Sequence, residues 1–144
     1  MTIRALGASD RGEWEALWQG YLRFYRQHLD PDVTAATFAR LVDPKEPPFA
    51  LVATDEAGRL LGFAHYLFHR TTWAVGDLCY LEDLFVDPAS RGAGTGRALI
   101  DAVYRAADAH GAAGTYWMTQ EFNADGRALY DTLARRTSFI RYER

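Results

Sequence analysis

Apolar and polar positions follow two different periods along this 144-residue chain. Trp14, Leu17, Trp18, Tyr21, Leu22 and Tyr25 return every three or four residues, the period of a helix with one apolar face. Ser9 or Asp10 stands where an N-cap belongs, with Glu13 placed as its capping-box partner. The aromatic stripe reads as core, and its far end, Tyr21 to Tyr25, can also wall a pocket. Thr34 opens a second, shorter helix through Leu41, which Asp43-Pro44 and Pro47-Pro48 end. Strand patterns occupy Thr2–Leu6, Phe49–Thr54, Leu60–Phe68 and Tyr80–Val86, with a hairpin turn at Glu56-Ala57-Gly58. A helix pattern resumes over Gly94–His110, with Leu99, Val103 and Ala106 on one face and Gly111 as its stop. Tyr116–Thr119 reads as a strand, Asp125–Arg135 as a helix carrying Ala128, Leu129 and Leu133, and Phe139–Tyr142 as a closing strand. This order predicts an α/β (α+β) fold, a mixed sheet with helices on both faces. No repeat, linker or low-complexity segment interrupts it, so residues 1–144 are expected to form one domain.

The strongest local signal lies where the strand ending at Val86 runs through Asp87-Pro88 and Arg91, Gly92, Gly94 and Gly96 into a helix. A glycine-rich loop feeding a helix N-terminus presents bare N–H groups and the positive end of the helix dipole to one point. Glycine suits that loop because a Cβ would block an approaching phosphate or forbid the required φ. A P-loop would need Gly-Lys-Ser/Thr, whereas Arg97 and Ala98 follow Gly96. A dinucleotide fingerprint would need G-x-G-x-x-G and an acid after a second strand, yet Asp108 sits within the helix itself. A glycine turn without a ligand does not explain three glycines and Arg91 at a helix mouth.

Composition narrows the picture further. Half the chain is apolar (49%), which is enough for a packed core, and the net charge of −3 argues against nucleic acid as the main partner while suiting a cationic substrate. The single cysteine, Cys79, excludes a disulfide framework and a cysteine zinc site. It reads as a small buried hydrophobe, with no base beside it to make it a nucleophile. Among the histidines only His65 and His69 are closely spaced, and no metal site is expected. No apolar run is long enough for a membrane span, and a cytoplasmic location is the expectation.

Arg91-x-x-Gly94-x-Gly96, between the strand Leu84-Phe85-Val86 and the helix Arg97-Ala98-Leu99-Ile100, resembles the acetyl-coenzyme A motif of the GNAT superfamily of N-acetyltransferases. Asn123-x-x-x-x-Ala128-Leu129-Tyr130 resembles the second signature of that family, in the same order and separation. Tyr80-Leu81-Glu82-Asp83-Leu84-Phe85-Val86 is similar to polyamine acetyltransferases, and Tyr116-Trp117-Met118-Thr119 to a histone- and small-amine-acetylating branch first known from yeast. The resemblance covers nearly the whole chain. It implies a single domain with a mostly antiparallel sheet of six to seven strands, splayed in the middle. One departure is the run Asp131–Ser138 between Tyr130 and Phe139, longer than the family pattern, which leaves the final strand's position open.

The resemblance implies direct acetyl transfer from acetyl-CoA to a primary amine, with no covalent enzyme intermediate and no metal. The acceptor would be a small amine, a polyamine or an amino-acid-like compound. Lysine in a basic protein tail and a non-catalytic binding module are the alternatives. The diphosphate would rest on the N–H groups of Gly92, Ala93, Gly94, Thr95, Gly96 and Arg97, with charge from Arg91 and Arg97. The pantetheine arm would pair with the strand edge at Leu84 and Val86, and Leu84 or Phe85 would supply an N–H to the thioester oxygen. Asn123 would bond that arm or cap the last helix, with Asp125 and Gly126 alongside. The amine must lose a proton to attack, and Glu82 and Asp83 are the candidate acceptors. Adjacent strand residues face opposite sides, so only one of the two is expected to face the substrate, with Glu82 preferred. Tyr130 is the candidate acid for the thiolate. The resemblance also implies a homodimer.

Overall fold

The computed structural model describes residues 1–144. It orders them as β1 (Thr2–Ala5), α1 (Arg11–Phe24), α2 (Pro31–Leu41), β2 (Phe49–Thr54), β3 (Leu60–His69), β4 (Leu78–Val86), α3 (Thr95–His110), β5 (Gly114–Tyr116) and α4 (Ala124–Leu133). The sheet runs β1-β2-β3-β4-β5, antiparallel throughout except for a parallel β4–β5 pair. No helix is long and apolar enough to cross a membrane.

Each sheet face has its own core because strand side chains alternate. Ala50, Val52, Phe63 and Phe85 point to one face, where Trp14, Trp18 and Leu22 of α1 and Phe38 and Leu41 of α2 cover them. Ala53, Ala64, Cys79 and Leu81 point to the other, under Leu99, Ile100, Val103 and Ala107 of α3. The apolar face of α3 therefore uses Ala107 rather than Ala106. Trp14 is the largest side chain with no exposed surface, stacked on Trp18 with ring centroids 5.7 Å apart.

The structure corrects several expected boundaries. The sheet has five strands, not six to seven. Phe139–Tyr142 forms no strand: the chain beyond α4 is exposed and finds no ladder partner, without which an extended segment gains nothing. The expected strand Tyr116–Thr119 is instead Gly114–Tyr116, because its pairing with β4 stops at Tyr80 and Tyr116. Helix α2 begins earlier than Thr34, with Asp30 as N-cap and Pro31 in its first turn, where the missing N–H costs nothing. The expected capping box between Asp10 and Glu13 does not form. Asp10 accepts the Gly7 N–H at 2.8 Å and two bonds from Arg4 at 2.7 and 2.9 Å, while Glu13 accepts the Leu60 N–H at 2.9 Å.

Two features of β4 position the site. The parallel ladder covers only Leu78–Tyr80, so the edge from Leu81 to Val86 faces a gap rather than a strand. Opposite β3, His65 pairs with Asp83 and Tyr66 with Leu81, which leaves Glu82 as the extra residue of a β-bulge. The bulge reverses the strand's parity. Cys79, Leu81, Leu84 and Val86 all lie toward α3, whereas Phe85 packs among the α1 and α2 side chains.

Candidate active site

The loop between β4 and α3 is built to leave donors bare. Gly92 and Gly94 hold φ of +84° and +81°, a region costly for any residue with a Cβ. Helix α3 has no side-chain cap, and its first backbone bond runs from Ala98 N–H to Gly94 C=O at 3.0 Å. The N–H groups of Thr95, Gly96 and Arg97 therefore have no partner within the helix. Gly92, Ala93, Gly94 and Arg97 are exposed, whereas Thr95 is buried and Gly96 half-buried. Neither arginine points freely at the loop. Arg91 folds back, donating from Nε to the Val86 carbonyl at 3.1 Å with its guanidinium 5.6 Å from the Phe85 ring. Arg97 donates to Thr132 Oγ1 on α4 at 2.7 Å.

Which β4 amides face the gap follows from the ladder. Asp87 N–H donates to Leu61 C=O of the β3 side at 2.8 Å. With a period of two, Phe85 N–H also points to β3, and the N–H groups of Leu84 and Val86 point into the gap. The Arg91 bond to Val86 C=O, made from outside the sheet, agrees with that polarity. Of the two candidate donors, Leu84 has the right direction and Phe85 does not.

The bulge brings Glu82 and Asp83 to one cavity of about 250 Å³, which Trp18, Thr37, Arg40, Pro48 and His65 also line. The expectation that only one acid faces the pocket is overturned, because an extra residue cancels the alternation on which it rested. The two carboxylates nonetheless differ. Tyr21 O–H donates to Asp83 Oδ1 at 2.6 Å, and His65 Nδ1 donates to Oδ2 at 2.9 Å. His65 is buried, and its Nε2 lies 3.1 Å from Trp14 Nε1. An indole N–H only donates, so Nε2 accepts and the ring is neutral, with its proton on Nδ1. Asp83 is thus held between two donors, one on each oxygen. Glu82 makes no hydrogen bond or ion pair within the protein and is exposed toward the cavity. Burial, then the charge of Asp83, push its carboxyl above the usual 4.5.

Across the gap, Asn123 caps α4. Its Oδ1 accepts the Gly126 N–H at 3.3 Å, and its Nδ2 donates to Thr119 Oγ1 at 3.0 Å. A Cβ at Gly126 would push the Asn123 amide out of this capping position. Asp125 is exposed in the first turn of α4. Tyr130 packs edge-on to Trp117, ring centroids 5.5 Å apart, and burial pushes its phenol up to about 12. Tyr25 joins the two halves. Its ring lies 4.9 Å from Tyr21, and the Thr119 hydroxyl partly offsets the upward push of burial on its phenol. With Phe24, Arg26, Gln120 and Phe122 it lines a second cavity of about 460 Å³. Cys79 is fully buried in β4, and burial pushes its thiol up, away from nucleophilic use. No group of three His, Cys, Asp or Glu side chains is placed to hold a metal ion.

The sequence pattern marked the loop, the acids and Tyr130, but not the side chains that hold Asp83. Trp14 and Tyr21 were visible as a helical stripe, and His65 as one of a closely spaced pair with His69. Their convergence depends on β3 register and helix docking, which local spacing does not encode.

The Acetyltransferase (GNAT) family model matches residues 14–134. Over 145 residues the chain is 37% identical to the D-amino-acid N-acetyltransferase HPA3 of Saccharomyces cerevisiae (strain ATCC 204508 / S288c), covering 100% of this chain and 90% of that protein. In shape it is similar to AAC(6')-Iy in complex with the bisubstrate analog CoA-S-monomethyl-acetylneamine, with a TM-score of 0.85, 20% identity, and coverage of 99% of this chain and 96% of that one. A ribosomal-protein-alanine N-acetyltransferase from Brucella melitensis biovar Abortus 2308 superimposes with a TM-score of 0.81 at 23% identity, covering 99% and 98%.

Proposed function

This chain belongs to the GNAT family of acetyltransferases, and on that premise we propose how its residues divide the work. The protein is an N-acetyltransferase that takes its acetyl group from acetyl-CoA and passes it to an amine. When bound, acetyl-CoA supplies the activated acetyl thioester. The uncapped start of α3 and the unpaired β4 edge suit its diphosphate and its extended, amide-bearing arm. In this reading the N–H groups from Gly92 to Arg97 bind the diphosphate, and Leu84 and Val86 hold the arm. Leu84 N–H is the donor to the thioester oxygen as it gains charge. Asn123 contributes by fixing the start of α4 and so the placement of Tyr130, with Gly126 packed beneath it. Asp125 is left at the solvent edge, and Arg97 is close enough to α4 to add charge beside the loop.

Glu82 is the base. The observation that carries this assignment is that Asp83 already receives a bond on each oxygen, while Glu82 receives none and faces the cavity. Asp83 acts as a fixed negative charge that raises the basicity of Glu82 and attracts an ammonium group. Tyr130 remains protonated at neutral pH and donates to the departing sulfur. Burial raises its phenol to about 12, so the O–H stays in place and acts on the sulfur as a hydrogen-bond donor, because full proton transfer to a thiolate of pKa about 8.5 is uphill.

The acceptor is a small primary amine, admitted through the cavity beside Glu82. A free-thiol release assay over a panel of small amines, polyamines, amino acids and one basic-tail peptide tests this. Turnover confined to the peptide would instead assign a protein lysine acetyltransferase, and no turnover would leave a binding module. One sheet with a core on each face supports reading residues 1–144 as a single catalytic domain. A homodimer is supported by exposed Trp73, Val75, Phe139, Ile140 and Tyr142, with Trp73 and Phe139 rings 6.4 Å apart. A monomer mass by sedimentation at micromolar concentration would reject it.

A further inference from the structure

We propose that Arg40 of α2 is the carboxylate anchor of the acceptor site, so that the preferred acceptor is a zwitterionic amino acid rather than a polyamine. This rests on the acetyl-transfer reading of the same cavity and deepens it. Arg40 lines the cavity together with Glu82 and Asp83, yet it makes no ion pair with either acid or with any other residue. The guanidinium is exposed at the cavity, and no nitrogen of it comes within 4 Å of either carboxylate. At roughly 30 Å³ per water, about 250 Å³ is the space of some eight waters, enough for a small amino acid.

A ligand that satisfies both ends must carry a cation at one and an anion at the other. An α-amino acid does so, with its ammonium group at Glu82 and its carboxylate at Arg40. Arg40 has the fork geometry to take both carboxylate oxygens. Thr37 lies one helical turn earlier on the same face and adds a hydroxyl donor that makes no hydrogen bond within the protein. Trp18, Pro48 and His65 complete the wall. A polyamine would instead place a second cation near Arg40, and a simple alkylamine would leave the guanidinium without a partner.

The test compares each amino acid with the amine of the same side chain: alanine with ethylamine, leucine with isoamylamine, phenylalanine with phenethylamine, both enantiomers of each acid included. Free thiol release is followed at saturating acetyl-CoA. The native enzyme is expected to favour at least one acid over its amine by tenfold or more in kcat/KM. Arg40→Met is expected to raise KM for that acid about ten- to a hundredfold with no rise in KM for the matching amine, so that the preference for the acid is lost. Arg40→Lys should recover part of the preference, because the charge returns without the fork. Equal use of acids and amines by the native enzyme would overturn the proposal, as would an equal loss toward both in Arg40→Met. Thiol release that no amine or amino acid accelerates would overturn the acetyl-transfer reading, and this inference with it.

Discussion

Glu82→Gln isolates the base. At pH 7.4 an alkylamine of pKa about 10.4 is neutral in only about one molecule in a thousand, so the enzyme must take a proton from the bound ammonium form. Glu82 faces the cavity with free oxygens, and its pKa is raised, so it holds that proton better than an ordinary carboxylate. Asp83 cannot take over. Protonating it would break a bond from Tyr21 or from His65, each worth about 1.5–3 kcal/mol to a charged acceptor. Loss of the base should therefore cost the usual 10²- to 10⁴-fold in kcat/KM, or about 3–5 kcal/mol of barrier. The pH profile supplies the check that a folding defect would not mimic. In the native enzyme kcat/KM falls as Glu82 is protonated, on an acid limb lying above 4.5. In Glu82→Gln that limb disappears, and the residual rate climbs about tenfold per pH unit as neutral amine accumulates. The stability sign runs the other way. A folded pKa above the unfolded one contributes stability at low pH that is lost as pH rises through the folded value, so removing this charge at pH 7 should not lower Tm. Activity within threefold of native with chemistry limiting, or an unchanged acid limb, would refute the reasoning.

Tyr130→Phe should lower kcat about ten- to a hundredfold while leaving the Kd for CoA within twofold, as read by single-turnover thiol release and calorimetry. Gly94→Ala meets no protein atom within 4 Å, so its cost to the fold is the strain of φ +81°, roughly 1–2 kcal/mol, while its Cβ also crowds the N–H groups proposed to take the diphosphate. It should raise KM for acetyl-CoA about tenfold with little change in KM for the amine. Asp10→Asn should destabilise the fold by roughly 1–3 kcal/mol at pH 7, measured by urea unfolding. The Arg4 bonds hold the Asp10 carboxyl below 3.8, so this contribution is present above that value, is lost as pH falls through the lower folded pKa, and should vanish in strong acid.

What the amino-acid pattern determined by itself is local. Runs of period two and period 3.6 placed four of the five strands and all four helices to within a few residues. Gly92 and Gly94 mark a backbone turn that only glycine adopts cheaply, so the bare helix start that follows them is legible in the sequence. The strand Phe139–Tyr142 was not real, because strand pattern without a partner ladder carries no stability, and partnership is not written in the segment. Tertiary structure alone decided the chemistry on β4. A single bulge residue, Glu82, reversed the alternation that sequence reasoning must assume, and so set two acids in one cavity. Trp14, Tyr21 and His65, up to 69 positions from Asp83, then occupied one acid and left the other free. Such division of labour arises from register and packing between distant segments, which spacing along the chain does not encode.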